Sequence, residues 1–297
     1  MKNKIPHSSL FTNIYTLFPN IYTLFPKIYS LSTVQYSLII LFTIHCSLFT
    51  VNAQKLDSLN TVWQDTAQPD STRAIAYRDY IWDGFLYSDP DSAQSLAQNL
   101  MHFGKAQNYP KATALAYSIF GIVSDLKANY PQALDYFQRS LKILEEIGDK
   151  KTIASSLYNI GNIYEKQGDY PQALEYHQRS LKLEEERGNK KGMATSLNNL
   201  GGIHLDLGAY TKAIDYYQRS LKISKEKGDK EGKANTLNNI GIIYHSQGEY
   251  SSALDYYQRG LNIYKEIKDN RGMAYSFGNL GLISADQAEY SQALDYY

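Results

Sequence analysis

Four asparagines recur at intervals of 40 residues: Asn159, Asn199, Asn239 and Asn279. A primary amide both donates and accepts hydrogen bonds, which suits the alternating donors and acceptors of a peptide backbone. Asparagine is a poor helix former, so its repeated use inside a helical pattern carries a small recurring cost. Two explanations stand side by side. The amides grip a bound chain, or they are copies left by duplication that bond only within the array. The sequence has no nucleophile elbow, phosphate-binding loop, HExxH pair or paired catalytic carboxylates. No catalytic residue, cofactor or metal site is expected. His177, His204 and His245 lack neighbouring ligands at metal-binding spacing.

The 40-residue step belongs to much more than the asparagines. Gly121, Gly161, Gly201, Gly241 and Gly281 keep it without gaps. So do Tyr130, Tyr170, Tyr210, Tyr250 and Tyr290, and Ala133, Ala173, Ala213, Ala253 and Ala293. The units run 112–151, 152–191, 192–231, 232–271 and a partial 272–297. One step back gives 72–111, where Ala93 and Leu100 fit but Ile81 stands at the glycine position. Residues 54–111 therefore read as a helical lead-in and a degenerate first repeat.

Within one unit, Ala154, Leu157, Ile160, Gly161 and Tyr164 share one helical face. Gly168 ends that helix, and Asp169 with Gln172 forms a capping-box pattern. Pro171 falls in the first turn of the next helix, where its missing N–H does no harm. Ala173, Leu174, His177, Ser180 and Leu181 make the facing stripe, and Gly188, like Gly148 and Gly228, suits a left-handed cap. Each unit is thus a helical hairpin. Gly161 and Ala173 read as slots for close helix approach, where bulk would overpack the pair. His177 and the second tyrosine of Tyr216–Tyr217 and Tyr256–Tyr257 stand at the core slot of Phe137.

These residues resemble the tetratricopeptide repeat: Leu-x-x-Leu/Ile-Gly-x-x-Tyr, then Gly-x-Tyr-x-x-Ala. The 40-residue form is similar to the repeats of Pins-type polarity adaptors and of bacterial multi-repeat sensors. The resemblance implies an all-α fold, an α-solenoid of stacked helical hairpins wound as a right-handed superhelix. It also implies an inner wall, lined mainly by the first helix of each unit, that binds an extended or helical peptide. The matching groove positions are Tyr158, Asn159 and Asn162, then Asn198 and Asn199, then Asn238, Asn239 and His245, then Asn279. Helices pack about 8–10 Å apart and an extended chain advances about 3.3 Å per residue, so one asparagine meets about every third ligand residue. The family's dicarboxylate clamp needs basic residues where Tyr158, Asn198 and Asn238 stand, so a free acidic C-terminus is disfavoured as ligand. The charge runs "LEEERGNKK" and "ISKEKGDKE" read as solvated helix ends.

Lys+Arg and Asp+Glu balance at 30 each in 297 residues, with no basic patch or charged tail. Nucleic acid is therefore not expected as a partner of this region. Residues 1–53 carry Lys2, Lys4 and Lys27 and no acid. A perfect duplication, "NIYTLFPNIYTLFP" (13–26), precedes an apolar stretch at about 36–50 and the small-residue pattern Val51-Asn52-Ala53. This predicts an N-terminal targeting segment over 1–53, a signal peptide cut before Gln54. A retained anchor is the alternative, and the long stretch before residue 36 also fits a misplaced start codon. The apolar run is short for a span of about 20 residues. Cys46, the sole cysteine, is disfavoured as a lipidation site by His45.

The expected function is a non-catalytic scaffold that binds a protein or extended peptide in its concave groove. The expected location is exported, periplasmic or membrane-associated, in a bacterium. Membrane contact is expected only through the N-terminal segment or a missing C-terminal anchor. The layout also resembles the sensor portion of membrane-bound signalling proteins, which implies a histidine kinase, cyclase or DNA-binding regulator beyond residue 297. A cytosolic peptide-sensing regulator fits less well. The last unit stops inside its second helix, so the sequence reads as a fragment.

Overall fold

The computed structural model describes residues 53–296. The chain divides into two compact units, Met1–Thr61 and Val62–Tyr297. In the first, the described residues 53–61 are helical, and Thr61 Oγ1 donates to the Asp57 carbonyl at 2.8 Å. The targeting segment expected over 1–53 lies outside the described residues, Ala53 excepted.

The second unit is a run of helical hairpins. The first comprises α1 (Asp70–Gly84) and α2 (Pro90–Ala106), the second α3 (Pro110–Leu126) and α4 (Tyr130–Ile147). Then come α5 (Lys150–Lys166) with α6 (Tyr170–Glu186), and α7 (Lys190–Asp206) with α8 (Tyr210–Lys227). The last two pair α9 (Lys230–Ser246) with α10 (Tyr250–Ile267), and α11 (Asn270–Asp286) with α12 (Tyr290–Tyr296). Each helix packs on the next, and first helices also touch at α1–α3, α7–α9 and α9–α11. The architecture is an all-α solenoid of stacked hairpins, with no strand among the described residues.

Local chemistry sets the ends. The side chains of Asn129, Asp149, Asp169 and Asp229 accept from the N–H three residues on, filling donors that a helix start leaves open. Asp169 makes only half of the expected box: its own N–H goes to the Tyr164 carbonyl. At 149, 229 and 269 the caps start first helices at Lys150, Lys230 and Asn270, two residues before the units drawn from sequence. A left-handed residue follows each helix from α2 to α11, every 20 residues from Asn108 to Ala288. Gly148 to Gly248 fill the six middle places, while Asn108, Ala128, Lys268 and Ala288 fill the outer ones.

The glycine column is a close-approach slot, and the group that approaches is a ring. A Cβ added at Gly121, Gly201 or Gly241 would lie 2.6 Å from the ring of Phe137, Tyr217 or Tyr257, and one at Gly161 would lie 2.8 Å from His177. The glycine admits a flat ring from the partner helix sixteen residues downstream. Those rings are buried, as are Ala133, Ala173, Ala213, Ala253 and Ala293. Tyr130, Tyr170, Tyr210 and Tyr250 open the second helices half-buried, whereas Tyr290 is 67% exposed. The first hairpin exchanges the sizes: Ile81 replaces the glycine, Ala97 replaces the ring, and both are fully buried in one cluster. Gly281, in the last hairpin, is likewise buried.

Candidate functional site

First helices present one helical face to a common wall. Along α5 the face runs Lys151, Ser155, Tyr158 and Asn159, and Asn162 continues it one turn on. Three hollows lie along this wall. The first, about 460 Å³, is lined by Arg78 and Trp82 of α1, Leu115, Ser118, Ile119 and Ile122 of α3, and the start of α5 and α7. Tyr158 and Asn159 stand in it. A second hollow of about 230 Å³ takes in Asn198, Asn199 and Asn235. The third, about 580 Å³, lies between the starts of α9 and α11. Lys191 is common to the first and second, and Glu231 to the second and third.

The asparagines do not form one uniform ladder. All four of the 40-residue column are half-buried. Asn199 Nδ2 donates to Asn162 Oδ1 at 3.0 Å, so this rung is tied across hairpins. Asn159 and Asn239 have no side-chain hydrogen bond among the described residues. Asn279 Nδ2 is buried with no partner there. Asn198 Oδ1 faces Thr236 Oγ1 at 3.5 Å, too long for a firm bond.

Asn238 departs from the expected groove wall. It is fully buried and donates to Ser276 Oγ at 3.0 Å. The cause lies in the partner helix. Ser140, Ser180 and Ser220 occupy a column whose fourth member is Gly260, and a Cβ there would sit 3.0 Å from Asn238 Oδ1. Loss of that side chain opens the space that Asn238 fills. Tyr264 closes it further, donating to Asn235, and burial pushes its phenol up to about 12.

His245 is also committed elsewhere. Its Nε2 lies 2.8 Å from Asp286 Oδ2 on the next first helix. Lys166 and Asp125 pair at 2.6 Å across an earlier junction of that kind, between α3 and α5. Glu165 and Asp206 meet at an intervening one, where burial first, and the Glu165 carboxylate second, hold Asp206 above the usual carboxylate range. Tyr158 packs edge-on against His177, ring centres 5.8 Å apart. His177 is fully buried, and neither ring nitrogen has a hydrogen bond among the described residues. Tyr216 and Tyr256, the outer members of their pairs, stack on His204 and Tyr244 instead of forming an open platform.

Sequence reasoning missed Arg78, Trp82, Lys151, Lys191, Glu231 and Arg271 as wall residues. The last four share a 40-residue step, and that signal was available in the sequence. Among the described residues, no group of three His, Cys, Asp or Glu is placed to hold a metal ion. No described helix is long and apolar enough to cross a membrane.

The tetratricopeptide repeat model matches residues 111–186 and 192–266, together just over half of the chain. The chain belongs to the tetratricopeptide repeat family. No curated protein sequence matches it. Solved tetratricopeptide-like structures do. One is a Signal Transduction ATPase with Numerous Domains from Pyrococcus horikoshii that carries a tetratricopeptide repeat sensor (17% identity, TM-score 0.66). The match covers 98% of this chain but 47% of that one. Another is the apo quorum sensor NprR from B. thuringiensis (17% identity, TM-score 0.60, 82% of this chain and 73% of that one). A Rap protein complexed with Competence and Sporulation Factor is also similar (14% identity, TM-score 0.57, 84% and 74%). At these identities the likeness is one of fold.

Proposed function

We propose that this tetratricopeptide array is a non-catalytic scaffold that binds a protein segment or extended peptide along the wall of its first helices. The observation that carries this reading is the run of three hollows joined through Lys191 and Glu231. Asn159 and Asn239 add half-buried amides that no described side chain satisfies, so a bound backbone completes their hydrogen bonding. NprR, a quorum sensor, and the Rap protein complexed with Competence and Sporulation Factor share this fold. We also propose export across the inner membrane of a bacterium, resting on the apolar stretch and small-residue pattern before Gln54.

The test is selection of binders from a random library of blocked 12-residue peptides against the full chain. Selected peptides are expected to lose affinity several-fold on Asn159→Ala with Asn239→Ala, while the thermal midpoint stays put. Unchanged binding by that variant removes the wall from consideration. Export is checked by N-terminal sequencing of the protein from the native cell envelope. A start at Gln54 supports it, and an intact N-terminus on cytosolic protein sinks it.

A second reading makes the array the sensing portion of a larger signalling protein. It draws on the Pyrococcus horikoshii ATPase, whose tetratricopeptide repeat is its sensor.

A further inference from the structure

We propose that the wall selects its peptide by a charge register: two acidic side chains about three residues apart, then a basic one about three residues further on. The inference rests on the peptide-groove reading and adds the chemistry of the partner.

Lys151, Lys191, Glu231 and Arg271 are the second residues of α5, α7, α9 and α11. All four are exposed. None has an ion-pair partner among the described residues, whereas the residue before each lysine or glutamate does. Lys150 meets Glu186 at 2.9 Å, Lys190 meets Glu226 at 3.8 Å, and Lys230 meets Glu266 at 2.6 Å. The corresponding Lys111, one hairpin earlier, is held by Asp149 at 2.7 Å. Each of these three hairpins therefore neutralises its first charge on the second-helix side and leaves the next one on the wall. A lysine in a first helical turn also opposes the helix dipole, so Lys151 and Lys191 stand there at a cost to the helix.

The hollows link these charges in sequence. Lys151 and Lys191 line the first, Lys191 and Glu231 the second, Glu231 and Arg271 the third. Other charged groups in the first two hollows are already occupied. Glu184 is paired with Arg187 at 2.6 Å, Arg78 with Asp79, and Asp229 caps α9 through the Gly232 N–H. Asp229 keeps its negative charge beside Glu231 while it caps, so the first two hollows read plus, plus, minus, and Arg271 adds a plus beyond, next to the capping Asp269. Helices spaced about 8–10 Å apart and a strand rising about 3.3 Å per residue place matching ligand charges about three residues apart. Opposite charges across such a wall set partner choice and register more than raw affinity. Ahead of Lys151 the wall turns apolar at Trp82 and Ile122, where a bulky aliphatic residue preceding the first acid would sit.

The test uses the full chain and fluorescein-labelled, acetylated and amidated 13-residue peptides, with leucine at position 2 and variable residues at 5, 8 and 11. Glu-Glu-Lys is expected to bind at least tenfold tighter than Lys-Lys-Glu, and several-fold tighter than Gln-Gln-Gln or the permuted Glu-Lys-Glu. Raising the salt should narrow those gaps. Lys191→Glu, at an exposed site, should abolish the preference, and changing the peptide's second Glu to Lys should restore it. Equal binding of Glu-Glu-Lys and Glu-Lys-Glu overturns the register while the groove stands. Failure of every peptide to bind overturns both readings.

Discussion

The hairpins α5–α6 and α9–α10 are built on one frame, with Ala173 matched to Ala253 and Gly161 to Gly241. In the core, the first sets a buried imidazole, His177, where the second sets a buried phenol, Tyr257. Both leave polar atoms without hydrogen bonds among the described residues: two ring nitrogens in one, a hydroxyl in the other. On the wall the difference is larger. Tyr158, Ser180 and Glu184 border an open hollow in the first, whereas Asn238, Gly260 and Tyr264 fill the equivalent space in the second. The glycine–ring slot and the alanine hold the frame, and the wall is free to vary because changes there compensate locally.

The largest expected effect breaks the core half of this comparison. Tyr257→Ala should cost about 3–5 kcal/mol, as removal of a buried aromatic does. His177→Ala should cost clearly less, since it also removes two buried nitrogens without hydrogen bonds, whose nearest acidic group is Glu165 at 3.7 Å from Nε2, and His177→Phe should stabilise by about 1 kcal/mol. Urea unfolding followed by circular dichroism would show this order; equal losses at 177 and 257 would refute it. Next, Gly241→Ala should cost about 1–3 kcal/mol through collision with the Tyr257 ring, and Tyr257→Leu in the same chain should recover part of that loss. Simple addition of the two penalties would mean that glycine and ring do not interact.

The wall half is sharpened by asparagine. Asn238→Ala strips a buried partner from Ser276 and should cost about 1–3 kcal/mol, whereas Asn198→Ala should stay within about 0.5 kcal/mol. A similar cost at both positions would place them in similar environments. The smallest effect concerns His204, which stands where Tyr164 and Tyr244 stand in their hairpins. Burial first, and Lys212 second, hold its pKa below the ordinary 6.5. The unfolded chain then binds the proton more readily, so stability is complete above about pH 6.5 and falls as the pH drops below it. His204→Tyr should flatten that slope in unfolding series between pH 7 and 5.

Much of the fold was legible because the 40-residue step is written almost verbatim: glycine, ring and alanine recur where the core must be small, flat and small. The wall was legible only in part. Asn238 looks like Asn198 in its own helix, and its burial depends on Gly260 and Tyr264 in another. The break in the Ser140, Ser180 and Ser220 column was the available sign. Lys191 falls in a run that reads as a solvated helix end, and Lys151 closes the unit 112–151, because the units start at 152 and 192. The Asp149 cap draws Lys150 and Lys151 into the first turn of α5. Arg78 and Trp82 lie in the first hairpin, where the repeat is too degenerate to project a column.

The left-handed turns carry a mechanical consequence. Glycine adopts that conformation freely, but alanine and lysine store about 1–2 kcal/mol in it. Ala128, Lys268 and Ala288 bear this strain in the outer turns, and the six central turns bear none. A pulling force along the chain should therefore open the turns at Ala128, Lys268 and Ala288 before the glycine turns between them. Length would be released in steps of one helix and its turn, with the span between Gly148 and Gly248 yielding last.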